Sequence, residues 1–423
     1  MFTSQADMPD SARVAAAAML TLCVGMEEYT FKKRPSCSRL LEASLPGILQ
    51  WMQWFNDAFL DLSKSTVAEV VVLRVLHQQQ VGKILLKMAQ WVIPRDRILT
   101  SPGLVLFLWR MWLDEPKLTK KNTSFGNRTR ELGLVDDDFS LINGKDEPSI
   151  SKVVRCIVDR LQDPFWDVSA HRDALVALKA SPTEVARIAC SQAAMAAFGG
   201  ATINTANLYD ALTVLMILCT CPGYRESCRA QGSLSTVMAI AEHLVRNSDQ
   251  VPQDSLELIL SRAMTYMQYT LRERYHAMLE FLQDGGLILI FNATSIMGLQ
   301  PKHKNGERLP EHTAHYLETF SHMLRFMTPF LPYLSISRHA TRTLHHVRTT
   351  GLERSLMSKI PDENMFIVQW KEFCKRLLDI EILRSSERMS LPRYPSCTNP
   401  NVSFLWYLLI TRIILKLLLA RHD

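Results

Sequence analysis

Three groups of residues have types and spacings from which chemistry can be built. Cys219-Thr220-Cys221, followed by Cys228, offers soft thiols as metal ligands or nucleophiles. Zinc is bound through paired C-x2-C units in tetrahedral sets, and no fourth ligand stands near this run, so it predicts buried or edge thiols at a helix end. His312, His315 and His322 fall on one predicted helix. The three-residue step puts two imidazoles on one face, but His322 lies two turns further on and only Glu311 and Glu318 accompany them. The expectation is a histidine-bearing solvent or groove face rather than a metal site. Arg338, Arg342, His345, His346, Arg348 and Arg354 form a basic helix-and-loop patch suited to phosphate or an acidic partner. It lacks the interleaved aromatics of a nucleic-acid reader, so it reads as a solvated face, and no nucleic-acid partner is expected.

Two tryptophan pairs, Trp51 with Trp54 and Trp109 with Trp112, have i,i+3 spacing beside Leu and Phe. Such pairs predict core packing, with an aromatic groove for a peptide as the alternative. The 19 Met read as adaptable core filler. No catalytic signature is present: there is no Gly-x-Ser-x-Gly elbow, no His-Glu-x-x-His and no kinase set. Gly82-Lys83 lacks the glycine five positions earlier that a phosphate loop requires. The expectation is therefore no catalytic residue, no cofactor-binding residue and no metal site, and a chain that is not an enzyme. A weaker alternative is an unrecognised enzyme using Cys219, Cys221 and the His312–His322 face.

The elements that would position these groups are helical almost throughout. Leu256, Leu260, Met264, Met267, Leu271, Tyr275, Met278 and Leu282 recur every three or four residues and predict one helix over 254–283, with Asp254 and Glu257 as a capping box and Gly285-Gly286 as its end. Phe366, Trp370, Phe373, Leu377 and Ile380 predict a helix over 363–386, and Ile150, Val154, Ile157 and Leu161 another over 149–162. Ser181-Pro182-Thr183-Glu184 reads as a capping box with proline at the first helical position of 182–198. Further helices are predicted at 38–61, 66–93, 101–114, 205–219, 234–246, 311–327 and 338–347. Leu287–Phe291 is strand-like in isolation and equally suits a buried helix start. Gly103, Gly232 and Gly286 each stand between the end of one helix and an apolar start of the next, like the inter-helix turn of armadillo and HEAT repeats. The fold class expected is all-α: an armadillo/HEAT-like α-solenoid or an irregular helical array, with a short apolar C-terminal helix.

The chain has 423 residues, is 47% hydrophobic and 21% charged, and contains only 16 Gly and 19 Pro, which excludes collagenous and low-complexity classes. Its net charge is +6, and 301–423 holds 18 basic against 11 acidic residues, so the basic character belongs to the last third. Nine Cys, an odd number, with several in apolar helical patterns, suit reduced thiols in a cytoplasmic or nuclear protein. The apolar run Val14–Val24 follows Asp7 and Asp10 and lacks a positive n-region, so it reads as a first helix rather than a signal peptide.

After the helix ending near Arg388 comes Met389-Ser-Leu-Pro-Arg-Tyr-Pro-Ser-Cys397-Thr398-Asn399-Pro400-Asn401. With the Trp-bearing helix Trp370-Lys371-Glu372-Phe373 before it, this stretch resembles fungal proteins that carry an armadillo-like helical-repeat body and a C-terminal MYND-type zinc finger. The resemblance implies a finger beginning at Cys397, the only residue matching a MYND-type ligand position. Such a finger needs seven Cys and one His for two zinc ions, whereas only His422 follows Cys397 as a further ligand and Val402 stands where the second Cys is expected. The finger is thus expected to be truncated after its first Cys, and zinc is expected only where an intact finger exists. Val402–Ala420 has 15 apolar residues in 19, close to the ~20 of a membrane span, but Arg412 and Lys416 lie inside it.

The organisation expected is a helical region 1–114, a polar insertion 115–148, central helical repeats 149–300, a basic helical region 301–388, a finger remnant 389–401 and an apolar tail 402–423. The function expected is a non-catalytic protein–protein interaction scaffold with a protein or peptide partner. The alternative is a tail-anchored membrane adaptor using 402–420.

Overall fold

A computed structural model describes residues 39–40, 43–44, 46–52, 54, 105–113, 169–199, 203–272, 274–297, 299 and 308–388. Helices carry the whole described structure, and no strand occurs among the described residues. The chain divides into two compact units, Met1–Ser233 and Leu234–Asp423.

In the first unit, helical stretches at 46–52 and 105–113 precede α1 (Ser169–Ala177), α2 (Pro182–Phe198), α3 (Thr205–Thr220) and α4 (Tyr224–Ala230). The α2 helix starts where the sequence places Pro182, whose fixed φ and missing N–H suit the first turn. Asn204 caps α3 by accepting from the Asn207 N–H at 3.1 Å. Every residue of α3 from Leu208 to Cys219 is buried, and α2, α3 and α4 pack on one another. Tyr224 Oη donates to the Ala180 carbonyl at 3.4 Å, and Arg225 Nε donates to the otherwise terminal Cys219 carbonyl at 2.6 Å.

The second unit contains α5 (Ser233–Arg246), whose first residue closes the first unit, then α6 (Gln253–Leu271), α7 (Tyr275–Gln283), α8 (Gly286–Ile296), α9 (Glu311–Met327), α10 (Leu334–Thr349), α11 (Leu352–Met357) and α12 (Met365–Arg388). Packing here follows chain order in steps of three: α6 lies on α9 and α9 on α12, α7 on α10, and α8 on α11. Its core is a cluster of rings: Phe320 stacks on Phe366 at 4.8 Å, and Phe291 meets Phe320 edge-on at 5.6 Å and Trp370 at 4.9 Å. These rings tie α8, α9 and α12 together, and all four are buried.

A single left-handed residue joins a first helix to a second helix four times along the chain. It is Lys179 (φ 51°) between α1 and α2, Gly232 (φ 68°) between α4 and α5, Gly285 (φ 80°) between α7 and α8, and Gly351 (φ 76°) between α10 and α11. A third helix then follows each time: α3, α6, α9 and α12. Glycine suits three of these turns because it has no Cβ to oppose positive φ.

Several local expectations need correction. The stripe over 254–283 is two helices, α6 and α7, with Arg272 (ψ 115°) turning out of the helix between them. The apolar spacing runs straight across the break, and no Gly or Pro marks it. The N-cap of α6 is Pro252 rather than Asp254, and Glu257 accepts from Gln253 Nε2 at 2.7 Å and Thr313 Oγ1 at 3.3 Å instead of closing a capping box. At α2, Ser181 makes no side-chain cap, and Glu184 pairs with Arg187 at 2.7 Å. The left-handed turn residue is Gly285 rather than Gly286. Gly286 instead opens α8 against Phe281, and Leu287–Phe291 is helical. The predictions at 14–24, 66–93, 149–162, 115–148, Gly103, Cys397 and 402–420 lie outside the described residues.

Candidate interaction surface

Opposite the apolar stripe of α6 runs a polar row, Arg262, Thr265, Gln268 and Arg272, which meets α9 in a seam. Thr265 Oγ1 donates to the Ser261 carbonyl at 2.9 Å and therefore accepts from His315 Nε2 at 3.3 Å. One turn on, Gln268 Nε2 donates to His322 Nδ1 at 3.2 Å. Further on, the Arg272 guanidinium lies 6.0 Å from the Phe326 ring centre. At the start of the seam, Thr313 donates to buried Glu257. Partner numbers rise together on both helices, so α6 and α9 run parallel. The seam leaves Glu311, Glu318 and Arg325 of α9 exposed.

This arrangement explains the histidines. His315 and His322 each serve a separate inter-helix hydrogen bond rather than converging on a point. Partial burial lowers the His315 pKa; Glu318 opposes the shift, and Arg262, His312 and His322 reinforce it. Neutral His315 is thus the form the seam favours. No group of three or more His, Cys, Asp or Glu that could hold a metal ion occurs among the described residues.

The thiols of the first unit are a packed cluster rather than a reactive one. Cys190, Cys219, Cys221 and Cys228 are all buried. Burial pushes Cys190 and Cys221 up to about 11, and the hydrogen bond of the Cys228 thiol to Cys219, with burial, raises Cys228. Burial disfavours the thiolate at these positions, and the C-x-C run packs in the core at the end of α3.

The tryptophan pairs divide. Trp109 and Trp112 are buried edge-to-face at 5.3 Å, and Trp109 Nε1 donates to His171 Nδ1 at 3.1 Å. Trp51 and Trp54 also meet edge-on, at 5.2 Å, but Trp54 is 45% exposed.

The basic patch expected from the sequence lies on α10 and α11. Arg338, Arg342, His345 and His346 are exposed on α10, and Arg354 is exposed on α11. Arg348 is drawn aside to Glu353 at 3.0 Å, whose other oxygen accepts from Trp370 Nε1 at 2.7 Å. The flanks of this α10 face are tied to other helices: Tyr275 and Ser335 share a 2.6 Å hydrogen bond, Thr341 donates to Glu381 at 2.7 Å, and Arg384 donates to Ser337 and to the Pro332 carbonyl.

The α6–α9 seam was missed in the sequence, although a signal exists in the polar residues at helical spacing on the reverse of the α6 stripe. Lys179 has no comparable signature. No family model matches the chain, nor does a curated protein or a solved structure. Among the described residues no helix is long and apolar enough to cross a membrane.

Proposed function

We propose that the chain is a non-catalytic protein–protein interaction scaffold whose helices form an armadillo-like α-solenoid. The observation that carries this reading is the fourfold order of helix, left-handed residue, helix and third helix, at 179, 232, 285 and 351. Within the second unit it is joined by the stacking of like helices on one another, α6–α9–α12, α7–α10 and α8–α11. A unit that buries its apolar face against its neighbours and repeats leaves the outer faces of its helices free to bind extended partners. The exposed polar face of α6 and α9 and the basic face of α10 are such surfaces. Buried, protonated thiols and histidines engaged between helices supply neither a nucleophile nor a poised base, which favours binding over chemistry.

Affinity purification of the full chain from its source cells tests this reading. A protein partner retained in stoichiometric amount supports it. Recovery of the chain alone, by both salt-sensitive and cross-linked capture, contradicts it.

A second reading, a tail-anchored adaptor, is favoured by the 15 apolar residues of 402–420. A soluble reporter carrying 395–423 remains with membranes after carbonate extraction on that reading and is released into the supernatant on the first. The resemblance to MYND-type proteins implies a further protein-binding module only where the finger is intact; metal analysis of the purified chain tests the truncation, and stoichiometric bound zinc would contradict it.

A further inference from the structure

We propose that the exposed face of α10 docks an acidic peptide segment, one presenting at least two Asp or Glu side chains to Arg338 and Arg342; this deepens the scaffold reading and rests on it. The sixteen residues of α10, LSISRHATRTLHHVRT, include three Arg and three His and no Asp or Glu. Helical geometry places residues four and seven apart on one face, so Arg338, Arg342 and His345 form a single stripe, with His346 at its edge, over about 10 Å of helix.

Four arginines elsewhere are paired within their own helices. Arg187 pairs with Glu184, Arg229 with Glu226, Arg246 with Glu242 and Arg376 with Glu372, each with an acid three or four residues earlier. On α10 the corresponding positions before Arg338 and Arg342 are Leu334, Ser335, Arg338 and His339, so no acid is placed to pair within the helix. Glu381 of α12, which reaches α10, accepts from Thr341 at 2.7 Å. Glu353 of α11 is engaged by Arg348 and Trp370. The positive face is therefore left to an external partner.

Carboxylates fit it better than a nucleic acid. Two arginines whose backbone positions are about 6 Å apart along a helix can meet carboxylates spaced along a peptide and take them bidentately. The stripe offers no aromatic side chain on which a base could stack. His345 and His346 add positive charge where they are protonated.

The test uses the full chain and a fluorescein-labelled decaglutamate peptide, read by anisotropy at two salt concentrations. R338A/R342A is the surface variant, and R246A, on α5, is the control. Circular dichroism verifies that each variant is folded. Binding that weakens with salt, falls at least tenfold in R338A/R342A and is unchanged in R246A is expected. Equal binding by wild type and R338A/R342A overturns the assignment, as does tighter binding of a single-stranded oligonucleotide of equal charge. A charge-neutralised decaglutamine peptide that binds as well also overturns it. The two readings fail separately: a scaffold partner that is captured equally by wild type and R338A/R342A leaves the scaffold standing and removes this surface. Absence of any partner in affinity capture removes the scaffold, whatever the peptide titration shows.

Discussion

The turn between α7 and α8 carries two adjacent glycines that the fold uses for different reasons, and exchanging each for alanine separates them. Gly285 has φ 80°, and a Cβ there would meet nothing within 4 Å, so its cost is backbone alone. A left-handed L-residue costs about 1–2 kcal/mol. Alanine recovers about 0.4–1 kcal/mol by restricting the unfolded chain, so Gly285→Ala should destabilise by about 1 kcal/mol. Gly286 has ordinary φ, but its Cβ would lie 2.2 Å from Phe281 Cε2 and 2.3 Å from Cδ2. Phe281 is fully buried, so the ring has no empty space to enter. Overpacking of this kind costs about 1–3 kcal/mol and more where the neighbour cannot move, which makes Gly286→Ala the worse of the two. Urea unfolding of the full chain, with midpoints compared at equal slope, reads both values. Adding Phe281→Leu, which shortens the clashing ring, should recover part of the Gly286→Ala loss and none of the Gly285→Ala loss, a coupling visible in a double-mutant cycle. If Gly286→Ala costs no more than Gly285→Ala, or Phe281→Leu rescues neither, the close approach of α8 to α7 argued here is wrong.

Three further outcomes are expected. Phe320→Ala removes the ring that stacks on Phe366 and meets Phe291; it should lower stability by about 3–5 kcal/mol in urea unfolding, and a loss under about 1 kcal/mol would show that the cluster does not join α8, α9 and α12. His315 has its folded pKa lowered below 6.5, so the unfolded chain binds the proton more readily; its contribution to stability is complete above pH 6.5 and is lost as pH falls from there. His315→Gln should flatten that part of the stability–pH curve, and an unchanged acid slope would contradict the assignment. Cys190, Cys219, Cys221, Cys228 and Cys374 should resist iodoacetamide at pH 8 in the native chain and react once urea unfolds it, with peptide mapping as the readout; burial pushes the Cys374 thiol up to about 12, and prompt native labelling of these sites would show the thiols to be accessible.

Parts of this architecture are legible in the residues and parts are not. The helices 182–198 and 311–327 match α2 and α9 in both bounds, because Pro182 and Pro310 stand at their starts and the apolar period is unbroken. The break between α6 and α7 is invisible because Leu271, Tyr275 and Met278 keep the helical spacing while the backbone turns at Arg272. Glu257 belongs to a capping box by spacing, but a buried Thr313 from a helix more than fifty residues away captures it, a contact no local pattern encodes. Gly232 and the pair Gly285-Gly286 mark their turns in the residues, with the positive φ falling on Gly285, whereas Lys179 adopts positive φ with a side chain that gives no warning. Buried thiols at a helix end are legible in the C-x-C run, whereas the seam bonds of His315 and His322 come from partners on another helix.

The scaffold reading stands on α6 and α9 lying side by side and running in the same direction, as consecutive third helices of one repeating unit. Double electron–electron resonance between keto-linked spin labels on p-acetylphenylalanine, at Thr265 with His315 and at Arg272 with Arg325, measures this directly without disturbing the native cysteines. Helices packed 8–10 Å apart in parallel keep both pairs at similar separations, within about 20 Å once label length is included. Residues 265 and 272 are about 10 Å apart along α6, so an antiparallel or crossed arrangement would make the second separation about 20 Å longer than the first. Two similar short distances are the predicted result; a second distance longer than the first by more than about 10 Å would contradict the account.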